Sequence, residues 1–284
     1  MKVSLNEILQ IAENKNIAIG AFNVPNLESL MAVIEAAEET NSPVIIQHAE
    51  VHNHLIPLEI IGPIMIDFAH RAKVPVAVHL DHGTSFNTCT KAMQMGFSSI
   101  MYDGSAHNMN DNIKNTQEIV KIAHSLGIQV EAELGSIATS SIGGGEGRTP
   151  KSLTPENLYT QPKDAFDFYI QTKVDALAIS FGTVHGVYLT EPQLNLNLVQ
   201  EVKQLVNIPL VMHGGSGVSE KDYHLSITNG IRKINYYTYM NRAGANFIKD
   251  LDTHDNLFFD DISIQGKESM KKNVIKAINM FSKK

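Results

Sequence analysis

Eight short apolar runs rich in Val and Ile recur along this chain, and their repetition constrains its fold more than any other feature. They cover residues 17–23, 44–48, 74–82, 97–103, 128–133, 176–181, 208–213 and 231–235. Several are nearly continuous in apolar character, as strands buried on both faces should be. Between them lie segments such as 27–40, 57–71, 109–126, 196–205 and 221–229, whose apolar spacing fits amphipathic helices. Punctuation agrees with these cuts. Gly96, Gly127 and Gly230 each stand just before a strand, where the glycine that ends a helix belongs. Pro43, Pro75 and Pro209 open strands, where a missing N–H does least harm. Ser4-Leu-Asn-Glu7 and Ser219-Glu-Lys-Asp222 carry the pattern of helix N-terminal caps.

Eight strand–helix units in about 250 residues match the usual size of a closed (β/α)8 TIM barrel. The expectation is a single α/β domain over residues 1–284, with the barrel in about 5–250 and a C-terminal helical extension in about 251–284. An open doubly wound sheet is the alternative, but it needs no eightfold count, and no Gly-x-Gly-x-x-Gly follows the first strand. In the extension, Met270, Val274, Ile278 and Phe281 fall on one helical face. A docked helix is therefore expected there rather than a membrane or nucleic-acid anchor.

The charge balance narrows the partners. Lys and Arg number 23 against 30 Asp and Glu, a net charge of −7, which argues against binding a nucleic-acid backbone. A lone cysteine, Cys89, excludes an intrachain disulfide and a Cys-based zinc ribbon. Glu7, Glu13 and Lys15 interrupt the apolar core that a signal peptide needs. No stretch reaches the ~20 apolar residues of a spanning helix. The expected setting is the cytoplasm, away from membranes.

Barrel sites lie at the C-terminal ends of the strands. Here those ends carry Asn23, His48, Asp81 with His82, Asp103, Glu133, His185, His213 and Asn235. Ionisable groups there are costly unless paired or metal-bound. Three imidazoles from different strands, His82, His185 and His213, can converge on one cation at ~2.0–2.1 Å and leave a position open. Zn²⁺ suits such a set, with Co²⁺ or Fe²⁺ as substitutes. The competing reading makes each a satisfied core or rim histidine. His79 shares a strand face with Asp81 and reads as structural. His52, His54, His70, His124, His224 and His254 read as surface residues, and His107 fits either class.

Two loops add to the pattern. His213-Gly-Gly-Ser-Gly217 follows the seventh strand, where barrels commonly bind phosphate on backbone N–H groups, and Asn235 and Thr238 end the eighth strand beside it. A plain turn is the alternative. The connection over 135–161 is long and Gly-rich, as lids over barrel mouths are, and Glu146 is the carboxylate of its Gly-rich part. A surface loop without function is the alternative there.

The motifs His79-Leu-Asp-His82, Glu131-Ala-Glu-Leu-Gly135, Gly182-Thr-Val-His-Gly186, His213-Gly-Gly-Ser-Gly217 and Lys233-Ile-Asn235 resemble, in order and setting, the class II metal-dependent ketose-bisphosphate aldolases, fructose- and tagatose-bisphosphate enzymes among them. Ala21-Phe-Asn23, Pro43-Val-Ile-Ile46 and Leu158-Tyr-Thr-Gln-Pro162 are similar too, and the resemblance runs from about residue 5 to 245.

It implies reversible aldol cleavage of a phosphorylated ketose to dihydroxyacetone phosphate and an aldehyde, glyceraldehyde 3-phosphate for a bisphosphate. It implies a catalytic zinc on His82, His185 and His213, with Asp103 and Glu133 at positions that bind a second divalent or a monovalent cation in some members. Asp81 would serve the hydroxyl that becomes the aldehyde, and Glu146 the carbon-bound proton of dihydroxyacetone phosphate. Asn23, Gly186, Gly214, Gly215, Ser216, Asn235, Tyr236, Tyr237 and Thr238 would hold substrate. A homodimer or homotetramer acting on a small phosphosugar is expected.

The chain also departs from that family. Ser136–Ser141 intervenes before Gly143-Gly-Gly-Glu146, and strand eight continues Asn235-Tyr-Tyr-Thr-Tyr239. The family's Asp-Pro-Arg, whose Arg helps hold the distal phosphate, is replaced by Asp260-Asp261-Ile262. That replacement implies an alternative substrate, a ketose phosphate without the distal phosphate. Rival classes are a metal-dependent hydrolase, which would want His-x-His on strand one where Ala21-Phe-Asn23 stands, a Schiff-base aldolase using Lys233, and a non-catalytic barrel.

Overall fold

The structure is a computed structural model that describes residues 1–143, 158–249 and 258–283. In chain order its elements are α1 (Leu5–Lys15), β1 (Ile19–Asn23), α2 (Leu27–Glu39), β2 (Val44–Ala49), α3 (Leu58–Arg71), β3 (Val76–Gly83), α4 (Phe86–Met95) and β4 (Ser99–Tyr102). Then come α5 (Met109–Ser125), β5 (Gln129–Leu134), β6 (Ala138–Thr139), α6 (Pro162–Thr172), β7 (Ala176–Ile179), β8 (Val184–His185) and α7 (Leu196–Leu205). The last are β9 (Leu210–Met212), α8 (Glu220–Thr228), β10 (Ile231–Asn235), α9 (Thr238–Lys249) and α10 (Phe259–Phe281). Parallel strands close into a barrel in the order β1-β10-β9-β7-β5-β4-β3-β2. Every one of the eight apolar runs supplies a barrel strand. Local chemistry sets the boundaries: Ser4 and Glu7 form a reciprocal capping box on α1, Ser219 caps α8, and Gly96 ends α4 in the left-handed region at φ 87°.

The barrel interior changes character along its axis. Helix α1 closes the N-terminal end, burying Leu5, Ile8, Leu9 and Ala12 against Ile19, Ala21, Ile45, Ala77, Ala176, Ala178 and Val211. Small inward side chains on the strands leave the room that Leu5, Ile8 and Leu9 fill, and each large apolar group so buried contributes ~1.5–3 kcal/mol. Two residues further along the same strands the inward positions turn polar. Asn23 follows Ala21, Gln47 follows Ile45, and His79 and Asp81 follow Ala77, while Glu131 and Glu133 line β5 and Lys233 and Asn235 line β10, all of them buried. Polar groups therefore rise through the upper barrel to its C-terminal mouth.

Above the mouth, β6 and β8 form a separate two-stranded sheet, with Ala138 opposite Val184 and Thr139 opposite His185. The terminal helix α10 packs on α2 and α9 with Met270, Val274, Ile278 and Phe281 buried, as their shared face predicts. Lys267 pairs with Glu35 and Lys271 with Glu39, both at 2.8 Å, along the α2 contact. No helix among the described residues is long and apolar enough to cross a membrane.

Candidate metal centre

Asp81 and His82 are adjacent on β3, and a regular strand would point them to opposite faces. The β3–β4 register shifts between Leu80 and Gly83, and His82 takes φ 47°, a left-handed conformation uncommon for a residue with a side chain. Such a bulge re-aims side chains, at a strain of ~1–3 kcal/mol. Both groups consequently face the same polar interior.

His82, His185 and His213 come together there, with one ring nitrogen of each within 4.8 Å of the others. His213 Nδ1 lies 2.9 Å from His82 Nε2. The opposite ring nitrogens are held by carboxylates: His82 Nδ1 is 3.0 Å from Asp103 Oδ2, and His213 Nε2 is 2.9 Å from Glu131 Oε1. Carboxylates that orient imidazoles in this way leave the second nitrogen free for an ion. His185 is buried, and among the described residues neither of its nitrogens has a hydrogen-bond partner. An orphaned buried imidazole is unfavourable, and a shared cation would satisfy it. Asp81, Asp103, Glu131 and Glu133 are all buried around the site, with Lys233 as the buried lysine among them, which also favours a cation. These residues fit a zinc-like ion.

Burial drives the three imidazoles towards the neutral form. It prevails at His185 and His213, while Asp81, Asp103 and Glu133 overcome it at His82 and raise that ring to about 10. Burial, reinforced by Asp103, pushes Glu133 up to about 8. Asp81 moves the other way, because His82, His213 and Lys233 outweigh its burial and hold it well below the usual carboxylate range. Asn23 and Gln47 donate to its Oδ2 at 3.0 and 3.1 Å, and Asn235 donates to its Oδ1 at 3.1 Å. Asp81 is thus an ionised carboxylate cradled by amides.

The glycine turn after β9 is also built for close approach. At φ 63°, Gly214 would bring a Cβ to 2.5 Å from the Val184 carbonyl oxygen, and Gly215 would bring one to 2.8 Å from the Asn235 oxygen. Ser216 Oγ accepts the Tyr237 N–H at 3.0 Å, tying this turn to the start of α9 at Thr238. Gly186, at φ 98°, follows His185 directly. The opening of the long β5–α6 connection reaches the same place, since Val187 N–H donates to Ile142 O at 2.9 Å and Gly143 stands beside Thr238. Glu146 lies outside the described residues.

Several placements differ from expectation. His185 sits on the two-residue β8, above the mouth, rather than at the end of a barrel strand. Asp103 and Glu133 both border the imidazole cluster, but Asp103 is engaged by His82 and by Ser105 Oγ at 2.6 Å. The Tyr236 side chain turns away from the site, packing edge-on against Phe22 and Phe281. His52, read as a surface residue, is 5% exposed and packs on Tyr237 with ring centroids 4.7 Å apart. Glu131 and Gln47 had no assigned role, yet Glu131 bonds both His213 and Lys233. The signal for both was available, as polar residues at inward positions of strands otherwise buried on both faces.

The family model described as fructose-bisphosphate aldolase class-II matches residues 3–284. The uncharacterized protein YdjI of Escherichia coli K12 is 39% identical over 270 residues, covering 95% of this chain and 94% of that protein. A Staphylococcus aureus fructose-bisphosphate aldolase is 34% identical over 286 residues, covering 98% and 96%. The crystal structure of the YdjI aldolase superposes with a TM-score of 0.87 at 36% identity, covering 99% of this chain and 97% of that one.

Proposed function

This chain belongs to the class-II fructose-bisphosphate aldolase family of lyases, and on that premise we propose that it cleaves a phosphorylated ketose reversibly to dihydroxyacetone phosphate and an aldehyde, with zinc on His82, His185 and His213. The convergence of those three imidazoles, two already oriented by carboxylates, is the observation that carries the reading. Zinc bound there supplies Lewis-acid polarisation of the substrate ketone.

The chain's own groups divide the remaining work. Asp81, ionised and fixed by Asn23, Gln47 and Asn235, takes the proton of the hydroxyl that becomes the aldehyde and returns it in the synthetic direction. The Gly214-Gly215-Ser216 turn, with Gly186 and Thr238, holds the phosphate through backbone N–H groups and hydroxyls. Glu146, from its place in the long connection, exchanges the carbon-bound proton of dihydroxyacetone phosphate. Asp103 orients His82, Glu133 lies 3.4 Å from His213 and adds to the negative charge of the site, and these two carboxylates are the groups that would hold a second cation. Neutral hydrogen-bond donors must attract the phosphate, because the chain's net charge of −7 opposes it.

Chelation tests this directly. Treatment with a strong chelator should abolish release of dihydroxyacetone phosphate from fructose or tagatose bisphosphates and their 1-monophosphates, and zinc or cobalt should restore it. Activity that survives chelation and is trapped by borohydride would transfer the chemistry to Lys233.

A further inference from the structure

The short turn over Glu50–His54 carries His52 from the end of β2 across the barrel mouth to the β10–α9 connection, where its ring meets Tyr237. His52 stands on the Asp81 side of the site: Ala49 is register-paired with Asp81, and the Asp81 charge acts on the His52 ring. A ketose 1-phosphate has a fixed order of groups along its chain. Its phosphate is on C1, its carbonyl is C2, and breaking C3–C4 turns the C4 hydroxyl into the aldehyde. With the phosphate at Gly214–Ser216 and the C4 hydroxyl at Asp81, carbon 5 and everything beyond it extend past Asp81 towards β1 and β2. His52, on the turn that leaves β2, adjoins that space, and its ring packs on Tyr237, whose N–H is tied to Ser216.

We propose that His52, seated on Tyr237, reads the aldehyde half of the substrate, and that this half is an uncharged hydroxylated chain rather than a phosphate ester. The inference rests on the aldolase reading above. An imidazole edge and a phenol face suit hydroxyls and C–H surface, whereas a phosphate dianion calls for a fixed cation or a bidentate guanidinium. Among the described residues, the amides of Asn23, Gln47 and Asn235 donate to Asp81, and its charge acts on His48 and His52 from the β2 side. Lys233 lies one layer deeper, occupied by Glu131 at 2.8 Å. Burial, with His48 adding to it, holds His52 down to about 4, so its ring is neutral at physiological pH. The first turn of α10 presents Asp260 and Asp261, and Ser263 Oγ ties that helix to Glu28, in the first turn of α2, at 2.5 Å. These positions supply acidic groups and no cation.

The test uses the zinc-loaded full chain in the synthetic direction, condensing dihydroxyacetone phosphate with glyceraldehyde or with glyceraldehyde 3-phosphate. Exchange of the dihydroxyacetone phosphate C–H with D2O, followed by NMR, reports on the half of the site that never meets an aldehyde. The wild type should favour glyceraldehyde at least tenfold in kcat/KM. His52→Ala should lower condensation with glyceraldehyde about tenfold more than it lowers exchange, chiefly through the aldehyde KM, and His52→Lys should shift preference towards the phosphorylated aldehyde. A wild-type preference for glyceraldehyde 3-phosphate overturns the proposal, as does a His52→Ala protein in which condensation and exchange fall together. A wild type that catalyses neither reaction overturns the aldolase reading itself and this inference with it.

Discussion

Lys233 Nζ and Glu131 Oε2 form an ion pair of 2.8 Å in which both side chains are wholly buried inside the barrel. Glu131 spends its other oxygen on His213, so this pair joins the barrel's interior to the candidate metal centre. It also bears on the Schiff-base alternative, since a lysine enclosed in this way offers no access to a substrate carbonyl. Removing one partner of such a pair strands a buried charge, which typically costs ~3–5 kcal/mol, whereas removing both can be nearly neutral. Glu131→Gln should therefore destabilise the fold markedly in denaturant titration. Adding Lys233→Met should recover most of that loss, although the double variant still binds zinc less tightly.

Asp103→Asn addresses the outer support of His82. Replacing a carboxylate that orients a metal-binding imidazole commonly weakens metal affinity 10–100-fold. We expect a loss in that range by competition with a chromophoric chelator, with unchanged circular dichroism. Asp103 acting as a ligand of a second cation would instead show as a change in metal stoichiometry.

Asp81→Asn should remove the proton acceptor without disturbing the imidazoles. The amides of Asn23, Gln47 and Asn235 can turn their oxygens towards the new side chain, so the fold should survive. Cleavage should fall by about 10²–10⁴ in kcat, the usual contribution of a positioned acid–base group. Metal content measured on the same sample should not change.

The barrel's lower end carries a pH-dependent tie. Glu13 on α1 accepts from Lys203 at 2.8 Å and from Arg232 at 2.7 Å. Burial opposes its charge, but these two cations prevail and hold its carboxyl below the ordinary value. A carboxylate lowered on folding stabilises above its unfolded pKa of ~4.3, and that stabilisation is lost as pH falls through the folded value. Glu13 is part-exposed, so a contribution of ~1 kcal/mol is the appropriate scale. Glu13→Gln should lower Tm at pH 7 by about 2–4 °C. The two melting temperatures should converge as the pH is taken down through the folded value.

The eight strands and the docked face of α10 could be read from sequence because burial on two faces or one leaves a periodic apolar trace. Met270, Val274, Ile278 and Phe281 are such a trace, and all four are buried. The three clustered histidines were legible for a related reason, as polar residues beside apolar strands demand a partner. What escaped was direction. Nothing in the letters Asp81-His82 encodes the bulge that aims both inward. Tyr236 and Tyr237 look alike in sequence, but one feeds the helix-packing core and the other meets His52. His52 itself sits among polar loop residues, and its burial arises from a contact nearly two hundred positions away.

Helix α1 seals the N-terminal end of the barrel with Leu5, Ile8 and Leu9. Among the described residues, the polar column above it is therefore a well closed at its lower end. On the aldolase reading proposed above, substrate and both products pass its upper rim, because the seal of α1 leaves them no exit below. A seal of ordinary aliphatic side chains thus directs the traffic of chemistry it never touches.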